Sequence, residues 1–96
     1  MHTINDVEYE WNPSKAESNF KKHGVRFADA AVSLEDPLGL ATYDLRPHGE
    51  ERFVFIGADP GGRLLVTIYA VRGKAIRLIS SRRATRREQK DYEDSR

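Results

Sequence analysis

The sequence predicts an α+β fold: a small antiparallel β-sheet in meander order, packed by two N-terminal helices and closed by a short C-terminal helix. Two observations carry this. Helix start and stop signals fall only in the first 37 of the 96 residues and in the last dozen. Between them lie β-rich runs separated by little more than turn signals. The chain is expected to form one domain over residues 1–96, with a single modest core.

Val7-Glu8-Tyr9-Glu10-Trp11 alternates and predicts a short strand with Val7, Tyr9 and Trp11 on one face. Asn12-Pro13 then opens a helix, with Asn as the cap and Pro at the first helical position. Trp11 and Ala16 stand at the two staple positions of that cap. Lys21-Lys22-His23-Gly24 ends the helix, with cations in its last turn and glycine just beyond. Phe27, Ala30, Ala31 and Leu34 recur at helical spacing and predict a second helix, stopped by Asp36-Pro37. Arg26 stands where a capping side chain is expected, so the start of that helix is weakly specified. Leu38–Tyr43 is a predicted strand, followed by a polar loop through Arg46-Pro47-His48-Gly49. Arg52–Gly57, Leu64–Val71 and Ala75–Ser80 are three further β-rich runs. Asp59-Pro60-Gly61-Gly62 and Arg72-Gly73-Lys74 connect them as hairpin turns. Leu64–Val71 is almost continuously apolar, so it belongs at the centre of the sheet with both faces covered. Thr85-Arg86-Arg87-Glu88 is a capping box that opens a last helix. Tyr92 is the one large apolar residue there, which predicts a helix that frays unless a partner supports it.

Charge is segregated along the chain. Residues 63–96 carry ten basic against four acidic residues, a net +6, whereas residues 1–62 carry a net −5. From Arg72 to Arg87 there are seven basic residues and no acid. A basic surface of this kind suits a polyanion such as nucleic-acid phosphate. The bland alternative is that these arginines pair with the acidic first part of the chain. Zero cysteines exclude disulfides and thiolate catalysis and suit a reducing compartment. The three histidines are far apart, so no metal is expected. No stretch is apolar enough to span a bilayer, and the N-terminus lacks a signal-peptide pattern.

Alternation along Ala75–Ser81 predicts Ile76, Leu78 and Ser80 on one face and Ala75, Arg77, Ile79 and Ser81 on the other. Arg82 and Arg83 leave the strand just before a helix N-terminus, a setting that suits phosphate. His23 follows Ala16 and Phe20 at helical spacing, so it projects from the core-facing stripe at the helix end; it can act as an acid or base near neutrality, or simply donate to a backbone carbonyl. His2 and His48 are expected to have no role. Cleaving RNA without a metal requires help in deprotonating a 2′-hydroxyl, cationic donors around the phosphorane, and an acid for the leaving 5′-oxygen. His23, Lys22 and the arginines supply those chemical types, and Trp11, Tyr69 or Tyr92 can stack a base.

Glu10-Trp11-Asn12-Pro13-Ser14-Lys15-Ala16, Asn19-Phe20-Lys21-Lys22-His23-Gly24-Val25 and Asp36-Pro37-Leu38 resemble the amino-terminal half of the BrnT toxin family. Glu51-Arg52-Phe53, Ile56-Gly57 and the run from Ile76 to Glu88 resemble its carboxyl-terminal half. The resemblance runs from about Val7 to Tyr92, in order. It implies a ribonuclease toxin of a bacterial type II toxin–antitoxin system, cytoplasmic, with a fold similar to the RelE toxins. It also implies neutralisation by a BrnA-like antitoxin whose ribbon-helix-helix part binds DNA, so that operator DNA is reached only through the antitoxin. Lys22 and His23 fall in the Lys-His-Gly motif, Arg52 in Glu-Arg-Phe, and Arg82 and Arg86 in the terminal arginine run. On chemical grounds Arg52 and Arg82 are assigned to phosphate and transition-state contacts, and Lys22 or His23 to proton transfer. Arg77, Arg83, Arg86 and Trp11 are assigned to substrate binding, with no cofactor. The competing expectation is a non-catalytic nucleic-acid-binding or antitoxin-docking module.

Overall fold

A computed structural model describes residues 2–47 and 49–95; His48, expected above to be a loop residue without a role, lies outside them. The elements in order are β1 (His2–Ile4), β2 (Val7–Glu10), α1 (Pro13–His23), α2 (Phe27–Ser33), β3 (Leu40–Tyr43), β4 (Phe53–Ala58), β5 (Leu64–Arg72), β6 (Ala75–Arg83) and α3 (Arg86–Asp94).

Local chemistry sets the helix ends. The Asn12 side chain accepts from the backbone N–H of Ser14 at 2.8 Å and of Lys15 at 3.3 Å, satisfying two donors the first turn cannot. Gly24 takes φ +69°, which glycine adopts without steric cost, and returns its N–H to the Phe20 carbonyl at 2.8 Å. Arg26 gives α2 no side-chain cap, as its sequence suggests. Thr85 and Glu88 form the complete reciprocal box that opens α3.

The sheet has six strands in the order β1-β2-β6-β5-β4-β3. It is mixed, which corrects the antiparallel meander predicted from sequence. β2 and β6 run parallel, with Glu8, Tyr9 and Glu10 opposite Ala75, Ile76 and Arg77. After β2 the chain crosses through α1 and α2, lays down β3 to β6 as a meander, and returns beside its starting strand. A crossover connection of this kind is what parallel pairing requires. β1 is an additional strand, joined to β2 by a tight hairpin in which Asn5 and Asp6 have φ of +51° and +68°.

Tyr9, Phe27, Ala30, Ala31 and Leu78 form the central core, with Trp11, Ala16, Leu34, Tyr69 and Ile76 packed against it. β5 is interior as predicted, although Val71 at its end is exposed. Gly57 lets α2 approach β4 closely: a Cβ there would lie 2.4 Å from the Ser33 carbonyl oxygen. α3 is anchored more firmly than its composition predicts. Tyr92 is 4% exposed, and its hydroxyl donates to Asp36 Oδ2 at 2.6 Å. The same carboxylate accepts the Ala58 N–H, tying α3 to the end of β4. One buried aromatic with a polar partner thus replaces the apolar stripe that the helix lacks.

Candidate active site

The site begins at a break in β6. Ile68 pairs with Ser80 and Tyr69 with Leu78, leaving Ile79 without a partner. Such a bulge shifts the alternation of side chains by one residue. Ile76, Leu78 and Ser81 therefore face the helices together, while Ala75, Arg77, Ser80 and Arg82 turn to the opposite face. Unbroken alternation had put Arg77 with Ile79 and Ser81, and Ser80 with Ile76 and Leu78. The bulge corrects both placements and brings Arg77, Ser80 and Arg82 to one side.

Arg52 joins them across the sheet. It precedes Phe53, whose partner Tyr69 faces the helices, so Arg52 turns the other way, level with Ala70. Ala70 pairs in turn with Arg77 and is buried between the two guanidinium-bearing chains. Glu50 bridges them, accepting from Arg52 Nε at 3.2 Å and from Arg77 Nη2. Desolvation works to raise the Glu50 pKa, but the hydrogen bond from Arg52 and the charge of Arg77 outweigh it. The carboxyl is held below the ordinary range. Arg77 Nε is buried with no hydrogen-bond partner among the described residues.

Arg82 is held by α3. Its Nη1 and Nη2 donate to the two oxygens of Glu88 at 2.8 and 2.9 Å, and Nη1 also reaches the Arg83 carbonyl at 3.2 Å. The Arg82 hydrogen bond, more than the opposing desolvation, holds the Glu88 carboxyl at about 2. Glu88 in turn raises the pKa of Arg82. Sequence had paired Arg82 with a helix N-terminus ready for phosphate. The structure puts the Glu88 carboxylate there instead, bonded to both Arg82 and the Thr85 N–H. A guanidinium has five donors, so Nε–H and one Nη2–H of Arg82 remain for an anion on the side away from Glu88.

Lys22 and His23 close the last turn of α1, beside the point where β2 stops pairing with β6. They line a shallow cleft of about 210 Å³ with Lys15, Ser18, Asn19, Ile79 and Ser80. The bulge residue and its neighbour thus meet the Lys-His turn. Sequence had put Phe20 with Ala16 and His23 on the core-facing stripe. Phe20 is instead exposed beneath the Arg26 guanidinium, and the buried residue of α1 is Asn19. Asn19 makes three buried hydrogen bonds: it donates to the Val25 and Ser81 carbonyls and accepts the Ser81 N–H.

Other expected residues lie apart. Trp11 stacks on His2, with ring centroids 3.7 Å apart, and meets Phe27 edge-on, away from the arginine face. Arg83 shares the helix-side face with Leu65, its partner on β5. Arg86 lines an open hollow along α3 with Arg87, Lys90, Asp91 and Asp94. Among the basic residues from Arg72 onward, Arg72 pairs with Glu10, Arg77 with Glu50 and Arg82 with Glu88. The bland alternative is therefore realised in part: two of these three acids belong to the first part of the chain. Among the described residues no group of three His, Asp or Glu side chains is arranged to hold a metal. Among the described residues no helix is long and apolar enough to cross a membrane.

The profile of the family described as "Ribonuclease toxin, BrnT, of type II toxin-antitoxin system" matches residues 11–88. The chain belongs to the BrnT family. A solved structure of the Brucella abortus ribonuclease toxin BrnT is similar over 83% of this chain and 99% of that one, at 26% identity and a TM-score of 0.62. No curated protein sequence matches. BrnT proteins are ribonuclease toxins of type II toxin–antitoxin systems, and membership implies an antitoxin partner. The mixed α+β architecture with a six-stranded sheet and three helices agrees with that of the Brucella protein.

Asn19, Ser80, Glu50 and Glu88 are the site residues that sequence reasoning missed or read only as structural. Asn19 had a signal: asparagine inside a helix, with Lys22 and His23 on its own face at i+3 and i+4. Ser80 had none, because its direction depends on the bulge.

Proposed function

We propose that this BrnT-family chain is a metal-independent endoribonuclease that cleaves RNA through the 2′-hydroxyl and thereby arrests translation and growth. What carries the reading is the common face of Arg52, Arg77, Ser80 and Arg82, with Lys22 and His23 lining a cleft that Ser80 also lines. In this reaction the 2′-oxygen attacks the adjacent phosphorus and the bond to the 5′-oxygen breaks. The products are a 2′,3′-cyclic phosphate and a 5′-hydroxyl. Lys22 or His23 takes the proton of the 2′-hydroxyl or protonates the leaving oxygen. Arg82, oriented by Glu88, and Arg52 donate to the phosphorane oxygens, where charge develops. Arg77 contacts a flanking phosphate, Arg83 and Arg86 reach the backbone only where a longer strand runs beyond that face, and Trp11 stacks a base only where the strand passes the His2 side of the molecule.

The partner in this reading is a BrnA-like antitoxin with a ribbon-helix-helix part, forming a hetero-oligomer that reaches operator DNA through the antitoxin alone. The site of action is the bacterial cytoplasm. The test is incubation of the antitoxin-free protein with mixed-sequence single-stranded RNA in excess EDTA, with analysis of product ends. Fragments ending in 2′,3′-cyclic phosphate are expected. RNA binding without cleavage would instead favour the non-catalytic nucleic-acid-binding module.

A further inference from the structure

We infer that Asn19 is a positioning residue, one that sets the register of the Lys22-His23 turn against β6; the inference rests on the catalytic reading of that turn. Asn19 is a poor choice for a helix interior, and burying its amide is unfavourable unless the amide is hydrogen-bonded. Here it is 7% exposed and three of its hydrogen-bonding positions are filled. Nδ2 donates to the Ser81 carbonyl at 2.8 Å and to the Val25 carbonyl at 3.0 Å, while Oδ1 accepts the Ser81 N–H at 3.0 Å. Two of these bonds pair one residue's N–H and C=O, as a neighbouring strand would. Parallel pairing from β2 ends at Arg77, and the Asn19 amide takes over that edge of β6 four residues on.

Three consequences meet at the site. Lys22 and His23 follow Asn19 at i+3 and i+4, so the clamp lies on the helical face that carries them. The third bond fixes Val25, just beyond the Gly24 turn, so the segment carrying Lys22 and His23 is held on both sides. On the strand, Ser81 lies between Ser80, which lines the cleft, and Arg82. Ser81 is itself fixed, its hydroxyl 2.9 Å from that of Thr67 on β5, and both residues are buried. Proton transfer depends on sub-ångström placement of the group, and this network sets the separation between the Lys-His turn and the arginine face.

The test is a double-mutant cycle on RNA cleavage, with Asn19→Ala, Lys22→Ala, His23→Ala and the two double variants of Asn19→Ala with each. Folding is monitored by circular dichroism, and binding by affinity for an RNA lacking the 2′-hydroxyl at every position. Asn19→Ala is expected to lower kcat about tenfold or more, since misplacement by about 1 Å can cost about a hundredfold. Affinity for the uncleavable RNA should stay within about twofold, because the arginines are untouched. In at least one double variant the loss should not exceed that of the Lys22 or His23 variant alone, since Asn19 acts through that side chain. If Asn19→Ala does not fold, Asn19→Asp serves. It keeps the size and the acceptor for the Ser81 N–H, and its deficit should shrink at low pH as protonation restores one donor. Undiminished kcat in the Asn19 variant, or fully additive losses in both double variants, would overturn the positioning role alone. Undiminished cleavage in both Lys22→Ala and His23→Ala would instead remove the catalytic reading beneath it.

Discussion

Arg82 shows how one side chain can serve the fold and the proposed chemistry together. Its bidentate bond to Glu88 fixes the guanidinium plane, leaving Nε–H and one Nη2–H for phosphate. Arg82→Ala is expected to lower kcat on RNA by about a hundredfold or more, the scale of losing a transition-state donor. Because the pair is partly exposed, the accompanying loss of stability should be about 1 kcal/mol or less in denaturant titration. Glu88 also makes the anchoring pH-dependent. Its folded carboxyl titrates at about 2 against an ordinary value of 4.5. A depressed acid contributes in full above its unfolded value and loses that contribution as pH falls through the folded one. Protection of the α3 amides in hydrogen exchange should therefore weaken between about pH 4.5 and about pH 2. Glu88→Gln should flatten that dependence, and an unchanged profile in the variant would assign it to other carboxylates.

Among the elements, α3 and β4 are the ones whose behaviour the structure redefines. α3 reads from sequence as a helix that frays without a partner, yet Tyr92 and Asp36 dock it on the end of β4. Tyr92→Phe keeps the ring and removes the hydrogen bond, which should cost about 1 kcal/mol. It should also speed exchange of the α3 amides in the isolated protein, and rapid exchange already in the unaltered protein would contradict the docking. Gly57→Ala should be more damaging, since its Cβ would meet the Ser33 carbonyl oxygen and the Phe55 ring. A loss of about 2–3 kcal/mol is expected from thermal or denaturant unfolding. Signals confined to neighbouring residues were legible in the sequence: the Asn12 cap, the Gly24 stop, and the Thr85–Glu88 box. Features that join distant residues were not. The parallel pairing of β2 with β6 depends on where the chain returns after two helices and three further strands. The Ile79 bulge is a property of two strands at once, and Asn19 finds Ser81 62 residues away. The Lys-His-Gly and arginine motifs could therefore be found in sequence, but not the face on which the arginines meet.

For the molecule as a whole, the segregation of charge is moderated by ion pairs that cross it. Arg72 with Glu10 and Arg77 with Glu50 link the basic last third to the acidic first part. RNA affinity should consequently be modest and governed by few phosphate contacts. If Arg52, Arg77 and Arg82 each meet one phosphate, the logarithmic salt slope for single-stranded RNA is about −2, or about a twentyfold loss between 50 and 200 mM salt. A slope near zero in fluorescence anisotropy would mean that the arginine face does not bind the backbone. An antitoxin complex that buries apolar area should survive the same salt. The central claim is that the Lys22-His23 turn and the arginine face form one ribonuclease site. The most direct measurement is cleavage of single-stranded RNA in excess EDTA by the unaltered protein beside Lys22→Ala, His23→Ala and Arg82→Ala, each confirmed as folded. The account predicts 2′,3′-cyclic phosphate ends from the unaltered protein, with cleavage severely reduced in Arg82→Ala and in at least one of the other two. Cleavage that persists undiminished in all three folded variants would contradict it.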